Sequence, residues 1–256
     1  MNLGWLESSF VVADVDRTAA WYSKLGFQVV DTADEGKTRT MEAGDCRITL
    51  FEGILNPAET QLIFWNGDVE AFAEKLVAAG ANILPQPDHA QHQTAQGLVK
   101  PPNGDASLMA RDPDGQIVFL IRMAKVSRER AAPLPPPQRG RCEVALPVKD
   151  VATTLAFYEL LGFTREKAPE DERVAALVNG ETRINLYQGY LDPDELQLNF
   201  WQGDIDGMAD LVRREGLDFF REPAGDDEGR AFMLRDPDGR PLFFINMRKY
   251  RETAGG

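Results

Sequence analysis

The chain is poor in basic side chains, thiols and imidazoles, and it has no long apolar run. Lys and Arg number 28 against 41 Asp and Glu, a formal net charge of -13. With no basic excess to displace phosphate counterions, general nucleic-acid binding is excluded, and docking on anionic membranes is disfavoured. Cys46 and Cys142 are the only cysteines. Two thiols make no disulfide framework, and a reducing cytoplasm is the expected setting. No apolar stretch reaches the roughly 18–20 residues needed to span a bilayer. The opening Met-Asn-Leu-Gly-Trp-Leu-Glu lacks the basic-then-apolar pattern of a signal peptide. Gly-x-Ser-x-Gly, the P-loop and a strand-following Gly-x-Gly-x-x-Gly are missing, which removes three common catalytic and phosphate-binding devices.

An internal repeat is present. Shifted by 136 positions, Glu7 falls on Glu143, Asp14-Val15 on Asp150-Val151 and Tyr22 on Tyr158. Leu25-Gly26-Phe27 falls on Leu161-Gly162-Phe163, Arg47-Ile48 on Arg183-Ile184, and Phe64-Trp65 on Phe200-Trp201. There are about 24 identities over about 62 ungapped positions, far above chance. The register then changes to 124, where Arg111-Asp112-Pro113-Asp114-Gly115 matches Arg235-Asp236-Pro237-Asp238-Gly239. The first copy thus has about twelve extra residues between Leu84 and Asp105. The copies span 1–124 and 142–250, with a linker at 125–141 that holds Pro133, Pro135, Pro136 and Pro137. Proline there favours an extended spacer.

Periodicity places the elements. Glu7 to Val12 reads as a strand, and Asp14 to Lys24 as a helix that stops at Gly26. Arg47 to Phe51 and Gln61 to Trp65 read as strands, and Val69 to Ala79 as an amphipathic helix. Leu108 to Arg111 and Gln116 to Ile121 flank an Asp-Pro-Asp-Gly hairpin turn. The second copy repeats the series, so each copy holds two βαβββ units and the chain four.

The run from Asp14 to Phe27, closed later by Asp112 to Gly115, resembles the vicinal oxygen chelate superfamily of glyoxalase I, extradiol dioxygenases, and fosfomycin- and bleomycin-resistance proteins. The same run returns as Asp150 to Phe163 with Asp236 to Gly239. The resemblance implies an α+β fold of tandem vicinal-oxygen-chelate-like domains. Each would be two βαβββ modules whose sheet curls into a cup. It also implies a divalent metal held by side chains on the cup strands. The positions to inspect are Glu7 and Glu143, Gln61 and Gln197, Phe119 and Phe243, and those near Thr49 and Asn185. Neither Phe119 nor Phe243 can ligate a metal. Catalytic zinc sites use about three good protein ligands, so the reading here is of no metal and no cofactor.

Strand alternation gives the rest of the cup face. Glu7, Arg47, Gln61, Trp65 and Phe119 line the first copy. Glu143, Arg183, Asn185, Gln197, Asn199, Trp201 and Phe243 line the second. Aromatic walls with a few polar groups make a small-molecule site. The preferred reading is a metal-free binder, like the bleomycin-resistance branch, that sequesters an aromatic or cationic organic molecule as a monomer or homodimer. The alternative is a glyoxalase-type lyase, isomerase or dioxygenase with a non-standard or absent metal site and Glu7 or Glu143 as general base. A third is a scaffold with filled cups. Structural readings stand beside these. Glu7 with Arg47 and Glu143 with Arg183 suit cross-strand ion pairs. Trp65 and Trp201 suit a core. The only histidines, His89 and His92, lie with Asp88 in the copy-one insertion, which suits a surface loop or a flap over the cup.

Overall fold

A computed structural model describes residues 1–55, 60–124, 126, 139–166, 171–192 and 196–248. The four linker prolines lie outside them. Each copy runs strand, helix, three strands, twice over. The first holds β1 (Trp5–Val12), α1 (Val15–Lys24), β2 (Gln28–Ala33), β3 (Thr38–Ala43), β4 (Cys46–Glu52), β5 (Gln61–Trp65), α2 (Val69–Ala78), β6 (Asn82–Leu84), β7 (Ala106–Arg111) and β8 (Ile117–Arg122). The second holds β9 (Gly140–Val148), α3 (Val151–Leu160), β10 (Thr164–Arg165), β11 (Val174–Asn179), β12 (Thr182–Gln188), β13 (Gln197–Gln202), α4 (Ile205–Arg214), β14 (Arg221–Gly225), β15 (Gly229–Arg235) and β16 (Pro241–Met247).

The architecture is α+β, with two eight-stranded curled sheets, one per copy. Their orders are β2-β3-β4-β1-β5-β8-β7-β6 and β10-β11-β12-β9-β13-β16-β15-β14. β1 pairs antiparallel with β5, and β9 with β13. The equivalent glycines Gly4 and Gly140 admit these pairings. A Cβ there would lie 1.8 Å from the Trp65 carbonyl oxygen and 2.3 Å from that of Trp201, and both glycines have positive φ. β9 starts at Gly140, so Arg141 stands in a strand.

The chain packs as two compact units, and each mixes the copies. The first unit gathers most of β1 and β5 to β8 with α2, together with α3 and β10 to β12. The second gathers α1 and β2 to β4, most of β9, and β13 to β16 with α4. A module of one copy therefore packs with a module of the other. In the second unit Phe232 stacks on Phe244 at 4.6 Å and Phe244 on Phe200 at 4.7 Å, while Phe27 meets Phe200 edge-on. In the first, Phe64 meets Phe163 edge-on at 6.2 Å. Burying each such ring contributes about 1.5–3 kcal/mol.

Asp14 and Asp150 cap their helices by accepting from the N–H of Arg17 and Thr153. The Asp-Pro-Asp-Gly turns then lock each helix to the other copy. Asp238 accepts from the Ala13 N–H at 2.8 Å and the Thr18 hydroxyl at 2.7 Å, and Asp236 from the Tyr22 hydroxyl at 3.1 Å. In the first unit Asp114 accepts from the Lys149 N–H and the Thr154 hydroxyl, and Asp112 from the Tyr158 hydroxyl at 3.2 Å. Burial, and then the facing carboxylate, push both phenols up, so they remain donors. The sequence reading gave these turns no role beyond reversing the chain.

The two locks differ in charge beside the first turn carboxylate. Arg240 places a guanidinium 3.0 Å from Asp236, whereas the matching residue beside Asp112 is the neutral Gln116. Burial pushes the Asp112 carboxyl up to about 6, against backbone N–H groups of Gln116 and Asp114 that pull it down.

Removing the turn carboxylate in Asp238→Ala will lower unfolding stability by about 1–3 kcal/mol, read by urea denaturation. Asp112 yields a pH dependence. The folded chain holds a proton that the unfolded chain has released between about pH 4 and pH 6. Stability therefore falls as pH rises through that window, by up to about 3 kcal/mol, and stays low above it. Gln116→Arg will bring a guanidinium to Asp112 and flatten this fall in urea titrations at a series of pH values.

Candidate functional site

Each sheet has one face turned to the helices and one turned away. Leu62 and Phe64 of β5 are buried on the side of the helix layer, where Phe64 reaches Phe163. The opposite, inner face carries the candidate residues in rows set by strand register.

In the first unit Glu7 lies opposite Ile63, and Ile63 beside Phe119. The neighbouring row runs Trp5, Trp65, Ile121 and Ser107 across β1, β5, β8 and β7. On the other side Ser9 lies opposite Gln61. Glu7 and Gln61 are buried, and Trp65 and Phe119 half-buried. So Glu7, Gln61, Trp65 and Phe119 are brought together on one face. Arg183 and Asn185 of β12 belong to the same unit. Arg183 pairs with Glu166, and Asn185 is buried opposite Ala176.

In the second unit the row is Glu143, Asn199 and Phe243, with Arg141, Trp201 and Ile245 beside it. Arg141 donates through Nε at 2.8 Å and a terminal nitrogen at 2.5 Å to one Glu143 oxygen. The Gln197 amide donates to the Asn199 oxygen at 2.5 Å. These polar groups answer one another within the face. Arg47, also in this unit, lies 3.4 Å from Glu42, which is only 1% exposed, and the Thr40 and Thr49 hydroxyls share a hydrogen bond.

Sequence reasoning missed several inner-face members. Trp5 and its counterpart Arg141 share the parity of Glu7 and Glu143, so alternation alone could have found them. Glu42 and Thr40 lie on β3, whose mixed pattern gave no strand signal. Gln86 gave no local signal either. It sits at the start of the insertion, is 6% exposed and accepts from the Ser107 hydroxyl at 2.9 Å. Through this contact and the backbone bridge between Val99 and Ser107, the insertion lies against the edge of β7 at the end of the Trp5–Trp65 row. Asp88, His89 and His92 form a short helical turn in which Asp88 and His89 are exposed.

The donor chemistry does not suit a catalytic metal. The Glu7 row ends on a phenyl ring. In the second copy Arg141 occupies Glu143, Asn199 occupies Gln197, and Phe243 has no donor atom. Among the described residues no three His, Cys, Asp or Glu side chains are grouped so as to hold a metal ion.

Paired βαβββ modules with these motifs define a class, and the comparisons name it. The chain belongs to the Glyoxalase/Bleomycin resistance protein/Dioxygenase superfamily, which matches residues 3–118 and 142–242. Among solved structures it is similar to the Mn(II)-bound glyoxalase from Novosphingobium aromaticivorans, with TM-score 0.66, 15% identity, and 96% of this chain and 81% of that one covered. It is similar to 2,2',3-trihydroxybiphenyl 1,2-dioxygenase from dibenzofuran-degrading Sphingomonas wittichii strain RW1, with TM-score 0.57, 17% identity and coverage of 96% and 90%. It is also similar to homoprotocatechuate 2,3-dioxygenase from Arthrobacter globiformis, with TM-score 0.61, 16% identity and coverage of 96% and 80%. At these identities the likeness shows the fold. No curated protein matches the chain. No helix among the described residues is long and apolar enough to cross a membrane.

Removing Arg141 tests the face. Arg141→Ala strips the partner from a side chain that is 5% exposed, and will cost about 1–3 kcal/mol in chemical denaturation. Arg213→Ala, from the exposed pair with Asp210, will cost under about 0.5 kcal/mol.

Proposed function

We propose that the chain binds a small aromatic organic molecule or organic cation on an inner sheet face, without a metal centre of the superfamily's usual kind. The observation that carries this is the pair of phenyl rings, Phe119 and Phe243, at the matching place in the two copies where a chelating carboxylate would complete a metal set. The first copy is the better site. Its Trp5 and Trp65 indole N–H groups are buried without a hydrogen-bond partner. A ligand oxygen placed on that row would satisfy them, and each such unmet donor costs about 1–3 kcal/mol. The two ring faces would stack on a planar ligand or attract a cation. In the second copy Arg141 replaces Trp5 and pairs with Glu143, so that face carries one indole fewer and one ion pair more. Sequestration in the cytoplasm is the role this supports, and both thiols are free.

A second reading has its own support. The similar solved structures are a Mn(II)-bound glyoxalase and ring-cleaving dioxygenases. They favour a glyoxalase-type lyase, isomerase or dioxygenase that uses a non-standard donor set. Its general base would be Glu7 or Glu143.

Native mass spectrometry with elemental analysis of untagged protein separates the two. Binding without metal predicts no near-stoichiometric Mn, Fe, Zn or Ni. It also predicts quenching of tryptophan fluorescence by a planar aromatic cation such as ethidium, weakened about tenfold or more in Trp65→Ala and little in Trp201→Ala. Bound metal at one equivalent, or turnover of catechol or of methylglyoxal with a thiol after Mn(II) or Fe(II) addition, would establish the enzyme instead.

A further inference from the structure

The two cysteines are the one chemically reactive pair that the inner-face reading leaves unused. Cys46 opens β4, opposite Ala43, and is 2% exposed. Cys142 lies on β9, opposite Phe200, and is half-buried. They come from different copies, yet both lie in the second unit. The Cys142 backbone N–H donates to Asp45, the residue before Cys46, at 3.1 Å. The two thiols interact electrostatically with each other and with the same Arg139 guanidinium. Neither cysteine is a repeat position: Thr182 matches Cys46 and Leu6 matches Cys142. The pair therefore arises once, where the two copies meet in this unit. We propose that Cys46 and Cys142 form a reversible disulfide that ties the first copy to the second.

The oxidant is a low-molecular-weight disulfide. The half-buried Cys142, as thiolate, attacks one sulfur of R–S–S–R and releases RS⁻, which takes up a proton. Cys46 loses its proton and attacks the Cys142 sulfur of the mixed disulfide, which releases the second RS⁻. The two cysteines give up two electrons and two protons, and the small disulfide becomes two thiols.

The surroundings set the rate. Burial, then contact with Cys46, pushes the Cys142 thiol up, and the Asp45 and Glu143 carboxylates act in the same direction. The Arg139 guanidinium, which interacts with both thiols and with Asp45, is the cation that favours the thiolate. It lies over the Phe27 ring and donates to the Leu25 carbonyl oxygen. Tyr22 is the other titratable group beside Cys46. Closure is therefore slow near neutral pH and accelerates as pH rises, which fits a lock rather than a rapid sensor. The bond would close a loop of nearly a hundred residues in the unfolded chain, where cross-links restrict the unfolded state most.

The full chain is incubated with oxidised glutathione at about pH 8, then quenched with acid. Free thiols under denaturing conditions should fall from two to none, with the intact mass lower by two hydrogen atoms and a digest that yields the Cys46–Cys142 cross-linked peptide. The melting midpoint should rise by about 5 °C or more, return with dithiothreitol, and stay unchanged by oxidant in Cys46→Ser and Cys142→Ser. Two thiols still free after prolonged oxidation, a glutathione adduct that persists on Cys142, or links only between chains would each overturn the proposal.

Discussion

Everything in the structure depends on a carboxylate at the tip of a hairpin. Asp238 and Asp114 each satisfy a backbone N–H at the start of a helix that belongs to the other copy, and a threonine hydroxyl one turn on. Asp236 and Asp112 take a buried tyrosine from the same helices. A helix N-terminus is a set of unmet donors with partial positive charge. The helix's own aspartate caps those donors, and the turn carboxylate from the other copy holds the N–H one residue before the cap and adds negative charge at that end. The phenylalanines Phe64 and Phe163 in one unit, and Phe27, Phe200, Phe232 and Phe244 in the other, pack in the same units as these contacts.

The two locks and the two inner faces show how a repeat diverges. Arg240 and Gln116 sit at one place, and only the first neutralises its carboxylate. Arg141 and Trp5 sit at one place, and there one copy presents a guanidinium to Glu143 and the other an indole. The insertion, through Gln86 and Ser107, closes the end of one row and has no equivalent in the other copy. Such differences set the two inner faces apart chemically, although the backbones repeat.

Much of the fold was legible. The period-2 strands, the Asp caps, Gly26 and the hairpin turns all act locally, so β1, α1, β4, β5, α2, β7 and β8 appear close to where periodicity put them. β2 and β3 did not. β2 is exposed along most of its length, and β3 places Thr38, Thr40 and Glu42 on a buried polar face, so neither carries an apolar alternation. The candidate site was legible in part for the same reason. Alternation brought Glu7, Gln61, Trp65 and Phe119 to one face, because a strand's side-chain period is a covalent property. It could not foresee that Arg141 would take Glu143, that Arg183 would reach Glu166, or that Gln86 would fold back onto Ser107. Those are contacts between strands and loops whose register and path lie outside any local window.

By itself, then, the sequence determined that two related copies exist, that each is built of βαβββ modules, and that the positions matching the superfamily's ligands hold one carboxylate per copy and no imidazole. These follow from residue identity and short-range spacing. Only the tertiary structure decided that modules pack across copies, that Asp-Pro-Asp-Gly is a lock as well as a turn, and that two unmatched cysteines meet. Each of these turns on residues far apart in sequence and adjacent in space, and that adjacency is set by which apolar faces bury one another.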